Sequence, residues 1–408
     1  MRMSLRMLTG ALFSAGLLVT EVGESVVFAA DTLSSRPASV SSASYYRVGK
    51  PPGSANASEG WSESDGGDYS GGGGDSAPSY VNDLAQSPLA MAPNMIGDFY
   101  GGYLTWQEAA YIPQEGTVAV GGGDRRFKIN ENNSPFPRDR VFFNYHHFQN
   151  ALRCPNNTDR SLDRFVFGLE KTCLQDALSL ELRVPFAVGL DSDQYADAAI
   201  EGTEFGNMAL AAKGLLYVDD CQAFSAGVAV TLPTADDSQI AYFDFGTSSY
   251  QPFFRVENES VFLQPFVGYF VTLSECAFFQ AFGQVDFDTN GSTVTDRDGL
   301  TGRLQDQTLA YLDGSFGYWL CRRPEAHLVR GIAGLVELHY SSTLNDADVV
   351  SGVTNRDNRL DVLNLTSGLH FQLGTAGTLR VGAVAPLNDD AGDRMFDTEI
   401  FAQFNRYF

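Results

Sequence analysis

From residue 140 onward, apolar and polar positions alternate along the chain. In the segment 177–186, ALSLELRVPF, one phase holds Leu178, Leu180, Leu182, Val184 and Phe186, and the other holds Ser179, Glu181, Arg183 and Pro185. Successive side chains of an extended strand point to opposite faces, so a period of two marks a strand with one apolar face. TLAYLDGSFGYWL repeats the pattern, with Ala310, Leu312, Phe316, Tyr318 and Leu320 against Tyr311, Asp313, Ser315 and Trp319. In LNLTSGLHFQL, Leu363, Leu365, Leu369 and Phe371 oppose Asn364, Thr366 and His370. About twelve such strands are predicted, near 140–149, 164–171, 177–186, 207–217, 223–233, 260–272, 277–288, 307–320, 329–340, 361–373, 378–387 and 396–408. Most approach the ~9–11 residues that a tilted strand needs to cross a bilayer.

The connections alternate between two kinds. Long ones include TNGSTVTDRDGLTGRLQD and SSTLNDADVVSGVTNRDNR, and short ones include TCLQD, VDDCQ, LSECA and GTAG. A barrel that spans a membrane shows this asymmetry, with short turns at one end and long loops at the other. A soluble β-sandwich also alternates its faces but has no reason to segregate loop length by end. Only helices and closed barrels satisfy every backbone group in lipid, and no run outside the N-terminus approaches a membrane helix. The fold class read from these patterns is all-β: a transmembrane antiparallel up-and-down β-barrel of about twelve strands over 140–408.

The chain ends in TEIFAQFNRYF, with Ile400, Ala402, Phe404 and Phe408 in the apolar phase. This strand resembles the C-terminal signal of bacterial outer-membrane β-barrel proteins, in which alternating apolar residues run to a terminal Phe. Arg406 departs from the aromatic or aliphatic residue usual at its position. VTLPTA and NSPFPRDRVFFNY are similar to stretches of porin-like and transporter-like barrels. The resemblance covers 140–408. It implies residence in the bacterial outer membrane, contact with its lipid, and recognition of the last strand by the barrel-insertion machinery.

Ahead of the barrel the chain changes character. Arg2 and Arg6 precede the apolar run MLTGALFSAGLLV, and small residues follow at Ala29 and Ala30, so 1–30 reads as a signal peptide. Tracts such as SDGGDYSGGGGDSAPS cannot bury enough apolar surface to offset their ordering entropy, so 31–94 is expected to be a disordered Ser/Gly/Pro-rich linker. The stretch 95–139 lacks a clear period and is expected to be a periplasmic or plug-like segment. Within it GTVAV and RRFKIN flank a glycine run as a hairpin would.

A net charge of -23 argues against nucleic acid as a partner, because little would neutralise phosphates. Five cysteines occur without a C-x-x-C, so no zinc or redox centre is expected and no metal or cofactor is implied. Cys276 opens one strand and Cys321 closes the next, which places a disulfide between them. His339 and Ser341 share a phase, as a lipid hydrolase would need, but the H-x-S-N-G pattern of outer-membrane phospholipases is absent. No enzymatic activity is expected.

By phase, the lumen is lined by Glu170, Glu181, Asp286, Asp313, Glu337, Asp397 and Glu399, by Arg183, Lys213 and Arg380, and by His339 and His370. Acids outnumber bases, predicting weak cation preference in any pore. Phe262, Phe266, Phe278, Phe282 and Trp319 fall in the same phase and would narrow it. The leading functional expectation is a narrow diffusion channel or transporter for small solutes. The alternatives are a plugged structural or surface barrel without transport and, last, an outer-membrane lipid hydrolase.

Overall fold

The computed structural model describes residues 92–98, 103–106, 116–119, 125–153, 159–195, 202–355, 359–388 and 394–408. The expected signal peptide and the expected linker up to residue 91 lie outside them. The barrel strands are β1 (Arg140–Arg153), β2 (Asp159–Cys173), β3 (Leu178–Val188), β4 (Ala209–Val218), β5 (Gln222–Thr231), β6 (Phe262–Thr272), β7 (Ala277–Asp288), β8 (Leu309–Arg322), β9 (Val329–Thr343), β10 (Asp361–Leu373), β11 (Gly377–Pro386) and β12 (Thr398–Tyr407).

Each strand pairs antiparallel with its neighbour in sequence, and β12 returns to β1, with Phe404 opposite Phe143 and Tyr407 opposite Arg140. The sheet is therefore a closed antiparallel barrel of twelve strands, and closure removes its edges. The alternation read along the chain becomes an inside and an outside. Leu180, Leu312, Phe316, Val336, Ile400 and Phe404 are exposed on the outer wall, while Ser179, Glu181, Asp313, Ser315, Glu337 and Gln403 are buried within.

Glycine makes room for the largest inward side chains. Phe142 lies directly across from Gly168, Phe266 from Gly227, Phe282 from Gly268 and Phe278 from Gly317. In each pair the Phe ring occupies the space that a Cβ on the glycine would take. An aromatic ring thus covers bare backbone on the neighbouring strand, a cross-strand pairing that helps fix register.

The long connections carry structure of their own. Ser238–Asp244, Ser249–Val256, Ser292–Asp296 and Thr301–Leu304 form a sheet edged by Asp193–Tyr195. Its small core holds Ile240, Phe254, Val256, Val294, Leu304 and Val353. A second sheet joins Tyr103–Trp106 to Gly116–Ala119 on one side and to Val353–Asn355 on the other. The expected pairing of GTVAV with RRFKIN is thereby corrected. Its first half finds another partner, and 125–130 is not a strand.

The expected Cys276–Cys321 disulfide is also corrected, since both thiols are free. The Trp319 N–H donates to the Cys276 carbonyl at 2.8 Å, so Trp319 is the residue across from Cys276. The β8–β9 register then shifts between Trp319 and Cys321, with Trp319 opposite Ala333 and Cys321 opposite Ile332. A bulge residue reverses the facing of the strand residues beyond it. Cys321 therefore faces outward, while Cys276 stays in phase with the inward Trp319.

Candidate functional site: a lumen filled by the chain itself

Two stretches from ahead of β1 run through the barrel, 92–98 in one direction and 125–136 in the other. All of their residues are buried. Residues 92–94, expected in the linker, belong to this inner segment. Ala92 and Phe136 border the short-turn end of the barrel. At the other end Arg125 reaches Asp306, Ser260 and Ser292, which flank the long loops. Between the two passes, the Met95 N–H donates to Asn133 O at 2.7 Å and the Asn132 N–H to Ile96 O at 3.0 Å. Gly97 adopts φ of +84°, and a Cβ there would stand 2.6 Å from Glu131 Cα, so the close approach of the passes requires glycine.

The inner segment has almost no regular structure, yet a buried backbone needs hydrogen-bond partners. The wall supplies them. The Glu337 carboxylate accepts the N–H groups of Ile96 (2.9 Å) and Gly97 (2.8 Å), and also the Ser315 hydroxyl (2.9 Å). The Gln403 amide donates to Ile96 O at 2.9 Å, and Gln284 brackets Phe127 O and the Ile129 N–H at 2.8 and 2.7 Å. Arg380 donates to Asn94 O at 2.9 Å and to the Asn132 side chain.

Charges match as well. Lys128 lies 2.6 Å from Asp98 and 2.8 Å from Asp313. Arg125 meets Asp306 at 2.9 Å, and Arg126 lies 3.5 Å from both Asp286 and Asp306. Glu131 receives the two Arg164 guanidinium nitrogens at 2.9 and 3.1 Å, Asn144 at 2.8 Å and His146 Nε2 at 3.1 Å. Arg140 bridges Glu170 and Glu181 at 2.7 and 2.8 Å, and Lys213 joins Glu170 at 2.9 Å and Asn133 at 2.8 Å. Asp98, Asp313 and His339 are grouped closely enough to hold a metal ion, but the Lys128 ammonium lies against both carboxylates and supplies the positive charge itself.

The inward phase places Glu170, Glu181, Arg183, Lys213, Asp286, Asp313, Glu337, His339, His370, Arg380 and Glu399 against this core, all buried. Asp397 is corrected: it precedes β12, is exposed, and accepts from Asn150 at 2.7 Å. Arg140, His146 and Arg164 are further inward residues, beyond those expected from phase. Their signal was present, because 140–148 alternates Arg140, Phe142, Asn144 and His146 against Val141, Phe143 and Tyr145, and 164–170 alternates Arg164, Val166, Gly168 and Glu170 against Phe165, Phe167 and Leu169. Asp98, Lys128 and Glu131 lie in a stretch without period, and no local signal marks them. His339 Nδ1 bonds Asp313 and Asn130, whereas Ser341 lies 3.5 Å from Lys128. At the short-turn end partial burial works to raise the Asp139 pKa, but hydrogen bonds from Lys171 and Thr172 outweigh it and hold the carboxylate below its ordinary value.

A closed wall with an apolar exterior and a polar, charged interior meets lipid outside and polar groups inside. The chain is a closed antiparallel β-barrel of twelve strands, built to span a membrane. No family model and no curated protein matches its sequence. Among solved structures it is similar to an outer membrane channel from Pseudomonas putida F1, with 15% identity over 68% of this chain and 97% of that one and a TM-score of 0.46. It is also similar to the beta domain of the Bordetella autotransporter BrkA (12% identity, 66% and 100% coverage, TM-score 0.43) and to the NanC porin (9%, 66% and 99%, TM-score 0.38).

Proposed function

We propose that the protein is an outer-membrane channel for small solutes that its own N-terminal segment holds shut. The observation that carries this reading is the charge match inside the wall. The inner segment's Arg125, Arg126 and Lys128 meet Asp306, Asp286 and Asp313, and its Glu131 meets Arg164. A barrel that served only as a wall gains little from such a filling, because apolar packing of the same volume is often as stable as a buried ion pair. A charged wall, in contrast, becomes a hydrated conduit once the segment withdraws. Lipid contacts the outward apolar band, and Ile400, Ala402, Phe404 and Phe408 present the strand that the insertion machinery reads.

Planar-bilayer recording tests this function. The full chain is expected to be silent at rest. Glu131→Ala combined with Glu337→Ala removes two anchors and is expected to give discrete openings. Steady conductance of the unaltered chain would contradict closure. A variant whose segment 125–136 becomes protease-sensitive while the barrel stays silent would favour the plugged surface barrel.

A further inference from the structure

A cavity of about 740 Å³ opens at the short-turn end, below the inner segment. That volume lies within the ~300–1,000 Å³ range of small-molecule sites. Three guanidinium groups stand in its wall, those of Arg138, Arg322 and Arg330, together with the imidazole of His370. His370 is buried and its Nδ1 has no partner, while Trp319 meets its ring edge-on at 5.8 Å. The acids nearby do not cancel this charge. Asp139 is paired with Lys171, which leaves Asp176 as the remaining side-chain carboxylate of the lining.

Aromatic surface lies beside the cations. The Arg322 guanidinium sits over the Trp319 ring at 5.3 Å, and Arg138 sits 5.6 Å from the Tyr407 ring centre. Guanidinium forks bind carboxylates in their own plane, and flanking rings favour an apolar body. We infer that this vestibule binds a small organic anion, a carboxylate carried on an apolar or aromatic body. The carboxylate would lie toward Arg322 and Arg330, and the body against Tyr407 and Phe136. Ala92 and Phe136 of the inner segment form part of its wall and Arg138 bonds Asn94 and Ala92, but Arg322 and Arg330, which would hold the carboxylate, make no part of the charge match that holds the inner segment.

Benzoate is a suitable probe, measured by calorimetry on the full chain refolded in detergent, with benzyl alcohol and inorganic phosphate as controls. Saturable benzoate binding is expected, at least ten-fold tighter than either control. Arg322→Gln combined with Arg330→Gln should weaken it ten-fold or more while heat-modifiable gel migration still reports a folded barrel. Tyr407→Leu, which keeps Arg322 and Arg330 and removes a ring of the lining, should weaken benzoate and leave phosphate unchanged. The inference is overturned if benzoate does not saturate, if the double variant binds it unchanged, or if phosphate binds as tightly. These outcomes leave the bilayer test untouched, because that test reads the seal and not the vestibule.

Discussion

Glu131 concentrates the chemistry of the lumen in one side chain. Its carboxylate is fully buried and is met by Arg164, Asn144 and His146 at 2.8–3.1 Å, with Arg183 at 3.6 Å. Glu131→Ala would take from buried Arg164 the carboxylate that meets two of its guanidinium nitrogens, while Arg183 keeps Glu181. Breaking one partner of a buried pair costs about 3–5 kcal/mol. The cost should fall on docking of the inner segment, since the wall retains every backbone ladder. Protease cleavage within 125–136 should therefore begin at lower urea in the variant, while the barrel's own unfolding midpoint moves less. Asp298→Ala, in an exposed loop, should change either midpoint by no more than about 0.5 kcal/mol. Equal shifts of both midpoints in Glu131→Ala would show that the segment and wall are one cooperative unit.

The strands are the scale at which the sequence was most legible. A period of two runs along the barrel strands, interrupted only at bulges, because lipid outside and polar groups inside impose opposite demands on successive residues. The inner segment obeys no such rule. Its partners lie far away in sequence, as with Ile96 and Glu337 or Asp98 and Asn364, so neither propensity nor period reveals them. The bulge before Cys321 was hidden for a related reason. Nothing in YWLCRR breaks the alternation, and only the pairing with β9 shows where the facing reverses.

The last strand makes the element-scale prediction. Phe408 is 64% exposed, its N–H donates to Asp139 O at 3.2 Å, and Lys171 lies 5.2 Å from its ring, so it sits at the seam where β12 closes on β1. Tyr407 turns inward, and its hydroxyl accepts from Arg138 at 3.3 Å. Phe408→Asp should cut the membrane-inserted yield several-fold, whereas Tyr407→Phe should leave it near normal. Equal yields would contradict the outward assignment of Phe408.

At the scale of the whole molecule, the wall and its filling must be considered together. The sequence phase suggested a clear excess of acids in the lumen. The structure removes Asp397 and adds Asp288, Asp306, Arg140 and Arg164, leaving Glu170, Glu181, Asp286, Asp288, Asp306, Asp313, Glu337 and Glu399 against Arg140, Arg164, Arg183, Lys213 and Arg380. With the inner segment withdrawn, acids outnumber bases in this wall and leave its potential negative. An opened variant should show a reversal potential displaced toward cations across a potassium chloride gradient, and less so at high salt. Selectivity for anions would mean that another set of side chains lines the path.

The central claim is that 92–98 and 125–136 fill the barrel, and amide hydrogen exchange tests it most directly. These stretches lack regular strand or helix, and in an undocked chain their amides would exchange within seconds. Docked, the N–H groups of Ile96 and Gly97 are held by Glu337 and that of Ile129 by Gln284, all out of contact with water. Exchange measured by mass spectrometry on the membrane-embedded full chain should find peptides from both stretches protected to the degree of β9 and β10. Rapid exchange in those peptides, with the strands still protected, would contradict a lumen sealed by its own chain.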